Sequence, residues 1–194
     1  VVQFVDFGPT VLSLCGVNPD SRLDGIPFLG KHRRNGKGYA YSHSDRFDAV
    51  YDRQRSVSDG RYRYVRNYVV DLPYLIPNAY RERIPMTQDL YDLRGRKDLP
   101  AAQWQMAATV RPVEEFYDSE ADPWESANLI GSERYESRIA KMRESLDAWM
   151  KATNDLGFVL PESRLVRDHI WPPEGKQPMT PQATLAKRPA ISTR

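Results

Sequence analysis

With 194 residues, 40% of them hydrophobic and 28% charged, the chain is long enough to bury a core and too balanced to be disordered. A net charge of +2 gives no global field for a polyanion, and no stretch approaches the roughly 20 apolar residues of a membrane-spanning helix. The single cysteine, Cys15, excludes an internal disulfide and any multi-cysteine zinc site.

The chain opens at Val1-Val2-Gln3-Phe4-Val5, with no initiator Met, basic leader or cleavage pattern, and reads as a piece of a longer polypeptide. Pro9 suits the first turn of a short helix. Val11, Leu12, Leu14 and Cys15 supply its apolar face, and Gly16 its left-handed stop. Cys15 reads as a small buried hydrophobe. A loop rich in Pro, Gly and Asp follows from Val17 to Gly38, and its basic run Lys31–Arg34 reads as solvated surface.

Gly38 to Ser42 reads as a strand, opening into the polar stretch His43-Ser44-Asp45-Arg46-Phe47-Asp48, a place where sites are common. Asp59-Gly60 between two β-prone runs signals a hairpin. On its second arm Tyr62, Tyr64, Arg66 and Tyr68 share one face, while Arg61, Arg63, Val65 and Asn67 share the other. A stacking platform for single-stranded RNA wants small residues between its rings, and Arg63 stands there instead. The tyrosines therefore read as half-buried, with the arginine stems along the outer face, and no nucleic acid is expected as a partner.

From Val69 to Pro112 five prolines give an irregular pattern, of the kind that forms walls or lids. Glu114 to Asp118 is a short strand, and Asp122-Pro123-Trp124-Glu125 a turn leading into a brief helical start. The clearest helix runs from Glu133 to Asn154, where Tyr135, Ile139, Met142, Leu146, Trp149 and Met150 recur at three- and four-residue spacing. Ser132 is its expected N-cap and Gly157 its stop. After Trp171 the composition turns proline-rich and aperiodic. Together these elements predict an α+β fold, a small antiparallel sheet packed against one long C-terminal helix.

The order of motifs then resembles the C-terminal part of a sulfatase, nearest the sulfamidase-like and glycosaminoglycan-sulfatase subgroup of the alkaline-phosphatase superfamily. VDFGPTVLSLCGV matches a "D-x-x-P-T" helix, and Arg55 to Val65 an "R-x-V-x-x-x-x-Y-K-Y-I" hairpin with Arg63 for the Lys. Glu115 to Leu129 matches "E-L-Y-D-L-x-x-D-P-x-E-x-x-N-L" with Phe116 for the first Leu. Asn67-Tyr68, Pro73-Tyr74, Tyr80 and Asp89-Leu90 point to the subgroup. With Gly25 to Gly30 (GIPFLG) and the long helix bearing Trp149, these make five motifs in one order, specific where each alone is weak.

The resemblance implies three segments: residues 1–45 as the tail of an α/β catalytic domain, 46–165 as the sheet-plus-helix subdomain, and 166–194 as an extended arm. It implies hydrolysis of sulfate esters or sulfamates, with formylglycine as nucleophile and calcium neutralising the sulfate oxygens. Both would be supplied upstream, since no Cys/Ser-x-Pro-x-Arg signature occurs here and Cys15 is followed by Gly16-Val17-Asn18. Catalytic and metal-binding residues are therefore expected to be absent, and the chain alone inactive. A calcium site from Asp45, Asp48 and Asp52 lacks the spacing of an EF-hand. In relatives the loop after the strand borders the substrate pocket as "R-D-R-M-D-E"; here it is Ser44 to Ala49, the acidic residue replaced by Ala49. His43, Arg46 and Asp48 become the candidate contacts to a sugar or its sulfate. The implied partners are a sulfated carbohydrate and the N-terminal catalytic portion of the same protein, in a periplasmic, secreted or lysosomal setting. A non-catalytic carbohydrate-binding or interaction module, and part of a related phosphoesterase, are the alternatives.

Overall fold

A computed structural model of the chain describes residues 1–36, 38–47, 50–76, 80–96 and 99–158. Asp48, Ala49 and the arm expected over 166–194 lie outside the described residues. The order of elements is α1 (Phe7–Leu14), β1 (Ala40–Phe47), β2 (Val50–Ser58), β3 (Tyr62–Asn67), α2 (Pro85–Arg96), α3 (Ala101–Ala107), β4 (Glu114–Asp118) and α4 (Glu136–Ala152).

The four strands form one sheet in the order β1-β2-β3-β4. Its register is antiparallel: Tyr68 N–H donates to Arg53 and Asp59 N–H to Tyr62, so one index falls as the other rises. Asn67 N–H to Val113 and Ser119 N–H to Arg61 continue the same rule from β3 to β4 and set Tyr64 opposite Phe116. The hairpin expected at Asp59-Gly60 is there, with Gly60 at φ +102° and the Asp59 carboxylate accepting from the N–H groups of Arg61 and Tyr62.

The chain packs as two compact units. The first comprises residues 1–42, 56–65 and 116–149. Here the apolar stripe of α4 covers the tyrosine face of the hairpin. Tyr64, Phe116, Met142 and Leu146 are fully buried, each contributing about 1.5–3 kcal/mol by removal from water. Tyr62 stacks on Phe116 with ring centroids 5.6 Å apart, and Tyr135 of the 3-10 turn before α4 closes on both rings. Trp149 stacks on Tyr41 at 5.0 Å, and Tyr41 Oη reaches Ser145 at 2.7 Å. On the outer side Arg61 pairs with Asp118 and Arg63 with Glu125.

Among the described residues, the second unit comprises those within 43–55, 66–115 and 150–158. Val50, Leu72 and Ile76 form its small apolar cluster, with Val69 packed against it. Buried polar groups hold the rest. The Arg111 guanidinium pairs with Asp52 and also donates to the carbonyls of Leu72 and Val69, both at 3.1 Å. Asn67 donates to Pro112 at 2.8 Å and to Glu115 at 2.5 Å.

Several local expectations need correction. The strand expected to end at Ser42 continues to Phe47, because its polar residues gain ladder partners across β2. The segment expected to be irregular contains α2 and α3: Pro85 begins one and Pro100 caps the other, positions where a missing N–H costs nothing. The long helix begins at Glu136 after a 3-10 turn, and Asn154 at φ +51°, not Gly157, takes the left-handed step after it. No helix follows the Asp122 turn, where Asp122 instead caps the N–H groups of Ser126 and Ala127. On the outer face of β3, Val65 and Asn67 are buried, as is Tyr64 on the opposite face.

The largest correction concerns α1. Its buried residues are Pro9, Thr10 and Ser13, with Asp6 just before them, whereas Phe7, Val11 and Leu14 are exposed. Cys15 is exposed too, contrary to its expected burial. The cause is hydrogen bonding: Asp6 Oδ1 accepts from Ile26 N–H at 2.9 Å, Thr10 Oγ1 from Phe28 at 3.1 Å and Ser13 Oγ from His32 at 2.9 Å. The polar side of the helix thus pins the loop over residues 26–32, and the apolar side faces away.

Candidate functional site

Strand β1 presents the candidate contacts. His43 is exposed and Arg46 half-buried, and three residues of separation on a regular strand place them on opposite faces. The structure therefore brings neither onto the same face as the other, and Asp48, outside the described residues, has no assigned position.

What anchors this strand is Arg55, the first position of the hairpin motif, to which the sequence assigns no role. It sits on β2 with a side chain only 1% exposed. Its Nε donates to Asp155 Oδ2 at 2.5 Å and its Nη2 to Asp155 Oδ1 at 2.9 Å, a two-pronged grip on the residue that follows α4. Nη2 also lies 2.9 Å from Asp45 Oδ1, and Nη1 donates to the Ser44 carbonyl at 3.1 Å. Two of the residues between His43 and Arg46 are thereby fixed.

Burial works against the Arg55 charge, but its bonds to Asp155 and Asp45 outweigh this and raise its pKa above the ordinary value. The Asp155 carboxyl is held below the usual range, first by Arg55 and also by Gly157 N–H, with the positive field of His43 adding to both. The neighbourhood of His43 is thus a network of paired charges.

Calcium does not fit the residues described here. Asp45 is tied to Arg55 and Asp52 to Arg111, so each carboxylate already faces a guanidinium. Among the described residues no cluster of three His, Cys, Asp or Glu side chains is placed to hold a metal. Nor do the tyrosines of the hairpin form an open stacking surface: Tyr64 is fully buried, and Tyr62 lies under Tyr135 and the Arg138 guanidinium, 4.3 Å from its ring centre. Arg55 and Arg111 carry no sequence signal of burial, since an arginine on a strand looks alike whether it faces water or an aspartate distant in sequence.

Comparison with known proteins decides the family context. An ulvan-active sulfatase of Formosa agariphila is 38% identical over 180 residues, covering 93% of this chain and 30% of that protein. The homologues of this chain are sulfatases. A second ulvan-active sulfatase of the same organism is 24% identical over 164 residues, covering 80% of this chain and 30% of its own length. A solved 2-O GAG sulfatase shares the fold, with a TM-score of 0.51 at 20% identity over 89% of this chain and 30% of that one. No protein-family model matches the chain. It spans about a third of the length of the curated sulfatases it matches, in their C-terminal portion.

Proposed function

We propose that this chain is part of an exported or lysosomal sulfatase that releases sulfate from a sulfated polysaccharide. The 38% identity to an ulvan-active sulfatase across 93% of the chain carries this reading. The bond broken is a sulfate ester or sulfamate on a sugar. Formylglycine and calcium, with the residues that make and hold them, belong to the portion of the enzyme outside this chain, and no step of the reaction is assigned to residues here. The contribution of this segment is positional. His43 or Arg46, on opposite faces of a strand fixed by Arg55, offers hydrogen bonds to hydroxyl or sulfate oxygens of the sugar, each as a separate candidate contact.

The test is sulfate release by the full-length protein from ulvan oligosaccharides and from N-sulfated and O-sulfated hexosamines, with matching phosphate esters alongside. Desulfation without phosphate release is expected, and this chain alone should release neither. In the full-length enzyme His43→Ala and Arg46→Ala should raise KM with little change in kcat, the signature of lost uniform binding. Phosphate release without sulfate release would move the protein to the phosphoesterases.

A further inference from the structure

The basic run Lys31–Arg34 is built differently from the cations around it. Every backbone N–H in it is already bonded: Lys31 donates to the Ser13 carbonyl at 3.3 Å, His32 to Ser13 Oγ at 2.9 Å, Arg33 to Gly30 at 3.2 Å and Arg34 to Pro27 at 2.8 Å. The His32 ring adds a contact of 3.3 Å to the Gly16 carbonyl. The loop is thereby fixed against α1 before any ligand arrives, with Lys31, Arg33 and Arg34 exposed on it. Elsewhere in the same unit Arg22, Arg61, Arg63 and Arg138 each pair with a carboxylate at 2.7–2.9 Å. Among the described residues Lys31, Arg33 and Arg34 have no such partner. The sequence explains why: residues 25–44 hold four Lys or Arg and no Asp or Glu, against a net charge of +2 for the whole chain. Three unneutralised cations within four residues make a local positive field on a chain that is otherwise close to balanced.

We propose that this loop is a binding site for the sulfate groups of a polysaccharide chain, and that it holds the polymer on which the sulfatase acts. The inference rests on the sulfatase reading above, which supplies a polymer bearing repeated sulfates. Lys and Arg side chains carry donors and no acceptor, so the run selects a ligand rich in acceptor oxygens. A sulfate ester fits: it keeps its negative charge at neutral pH and meets a guanidinium fork or an ammonium group through charge-assisted hydrogen bonds. Successive sulfates engage several of these cations at once, which releases counterions and makes the binding weaken as salt rises. Because the backbone is already ordered, binding has only the side chains left to immobilise.

The experiment titrates the full-length protein with dextran sulfate and with unsulfated dextran at several salt concentrations. Dextran sulfate should bind and dextran should not. Lys31→Gln with Arg33→Gln and Arg34→Gln should weaken the binding at least about tenfold and make it less dependent on salt. The same change of charge made by Arg134→Gln, Lys141→Gln and Lys151→Gln, at exposed cations of α4 and the turn before it, should weaken it far less. In sulfate release the loop variant should raise KM for a sulfated polymer while kcat, and KM for a sulfated monosaccharide, stay unchanged. Equal losses in the two variants, or no loss in the loop variant, overturn the proposal. So does binding of unsulfated dextran, or of duplex DNA as tightly as dextran sulfate with an equal loss in the loop variant, which makes the run a general polyanion surface. Sulfate release on the same preparation separates the two readings: release with dextran sulfate binding untouched by the loop changes sinks the loop site alone, and loop-dependent binding without release from any sulfate ester sinks the sulfatase reading alone.

Discussion

Replacing Asp155 by Ala isolates the grip that holds β1 and β2 to the end of α4. Arg55 and Asp155 stand 100 residues apart in sequence and meet through two bonds of 2.5 and 2.9 Å, with side chains 1% and 12% exposed. Removing one partner of a buried pair costs about 3–5 kcal/mol, because an uncompensated charge remains in low dielectric. Asp45 stays at 2.9 Å and the carbonyls of Ser44 and Gln54 still accept from Nη1, so part of the charge is met. The expected loss is therefore about 2–3 kcal/mol, below the full penalty. Urea unfolding followed by tryptophan fluorescence measures it as a lower midpoint at unchanged slope. The double change Arg55→Met with Asp155→Leu should recover part of the loss, since neither member of the buried pair is left stranded and only Asp45, one-third exposed, loses its guanidinium partner. A loss under about 0.5 kcal/mol for Asp155→Ala, within the scatter of surface substitutions, would refute a buried, charge-dependent anchor.

Two other measurements bear on the hairpin. Asp118 has its carboxyl pushed down to about 2, first by the paired bonds from Arg61 at 3.0 and 2.8 Å and also by Ala121 N–H. A depressed carboxyl stabilises fully above its unfolded value and loses that effect as pH falls through the folded one, so Asp118→Asn should weaken the protein at pH 6–7 and match the parent near about pH 2, the gap closing from about pH 4 downward. A gap that widens on acidification contradicts the pairing. Tyr64→Ala, at a fully buried ring, should cost about 3–5 kcal/mol in urea unfolding, the range for large-to-small aromatic truncation. A cost near that of a surface change would mean that α4 does not cover this face.

The parts of the fold legible in the sequence are those whose signal is local. The stripe Ile139, Met142 and Leu146 repeats at helical spacing and is buried as the period demands. Asp59-Gly60 fixes the hairpin within four residues, and Glu114–Asp118 forms a strand with the expected ends. What was illegible depends on partners distant in sequence or on the ambiguity of one residue type. Pro85 and Pro100 looked like breakers, yet both sit where a helix begins. Asn154 takes the left-handed step ahead of Gly157 because an Asn side chain tolerates that region and arrives first. Arg55 and Arg111 are buried because Asp155 and Asp52 reach them across 100 and 59 residues of sequence, and no local window contains both members of either pair. In a loop His43 and Arg46 could converge freely; on a strand, the two-residue alternation separates them.

Helix α1 shows why period alone underdetermines burial. Val11, Leu12, Leu14 and Cys15 announce an apolar face, and that face exists. Which face a chain buries depends on what the remaining residues can satisfy. Asp6, Thr10 and Ser13 each accept an N–H from the loop over residues 26–32, and leaving those loop donors buried without partners would cost about 1–3 kcal/mol apiece. Gly30 makes the choice hard to reverse: at φ +85°, a Cβ there would stand 2.5 Å from the carbonyl carbon of Ser13, so the loop lies against the polar side closely enough to admit only glycine. The close fit of loop to helix therefore belongs to this chain, and among the described residues the apolar side of the same helix stays exposed.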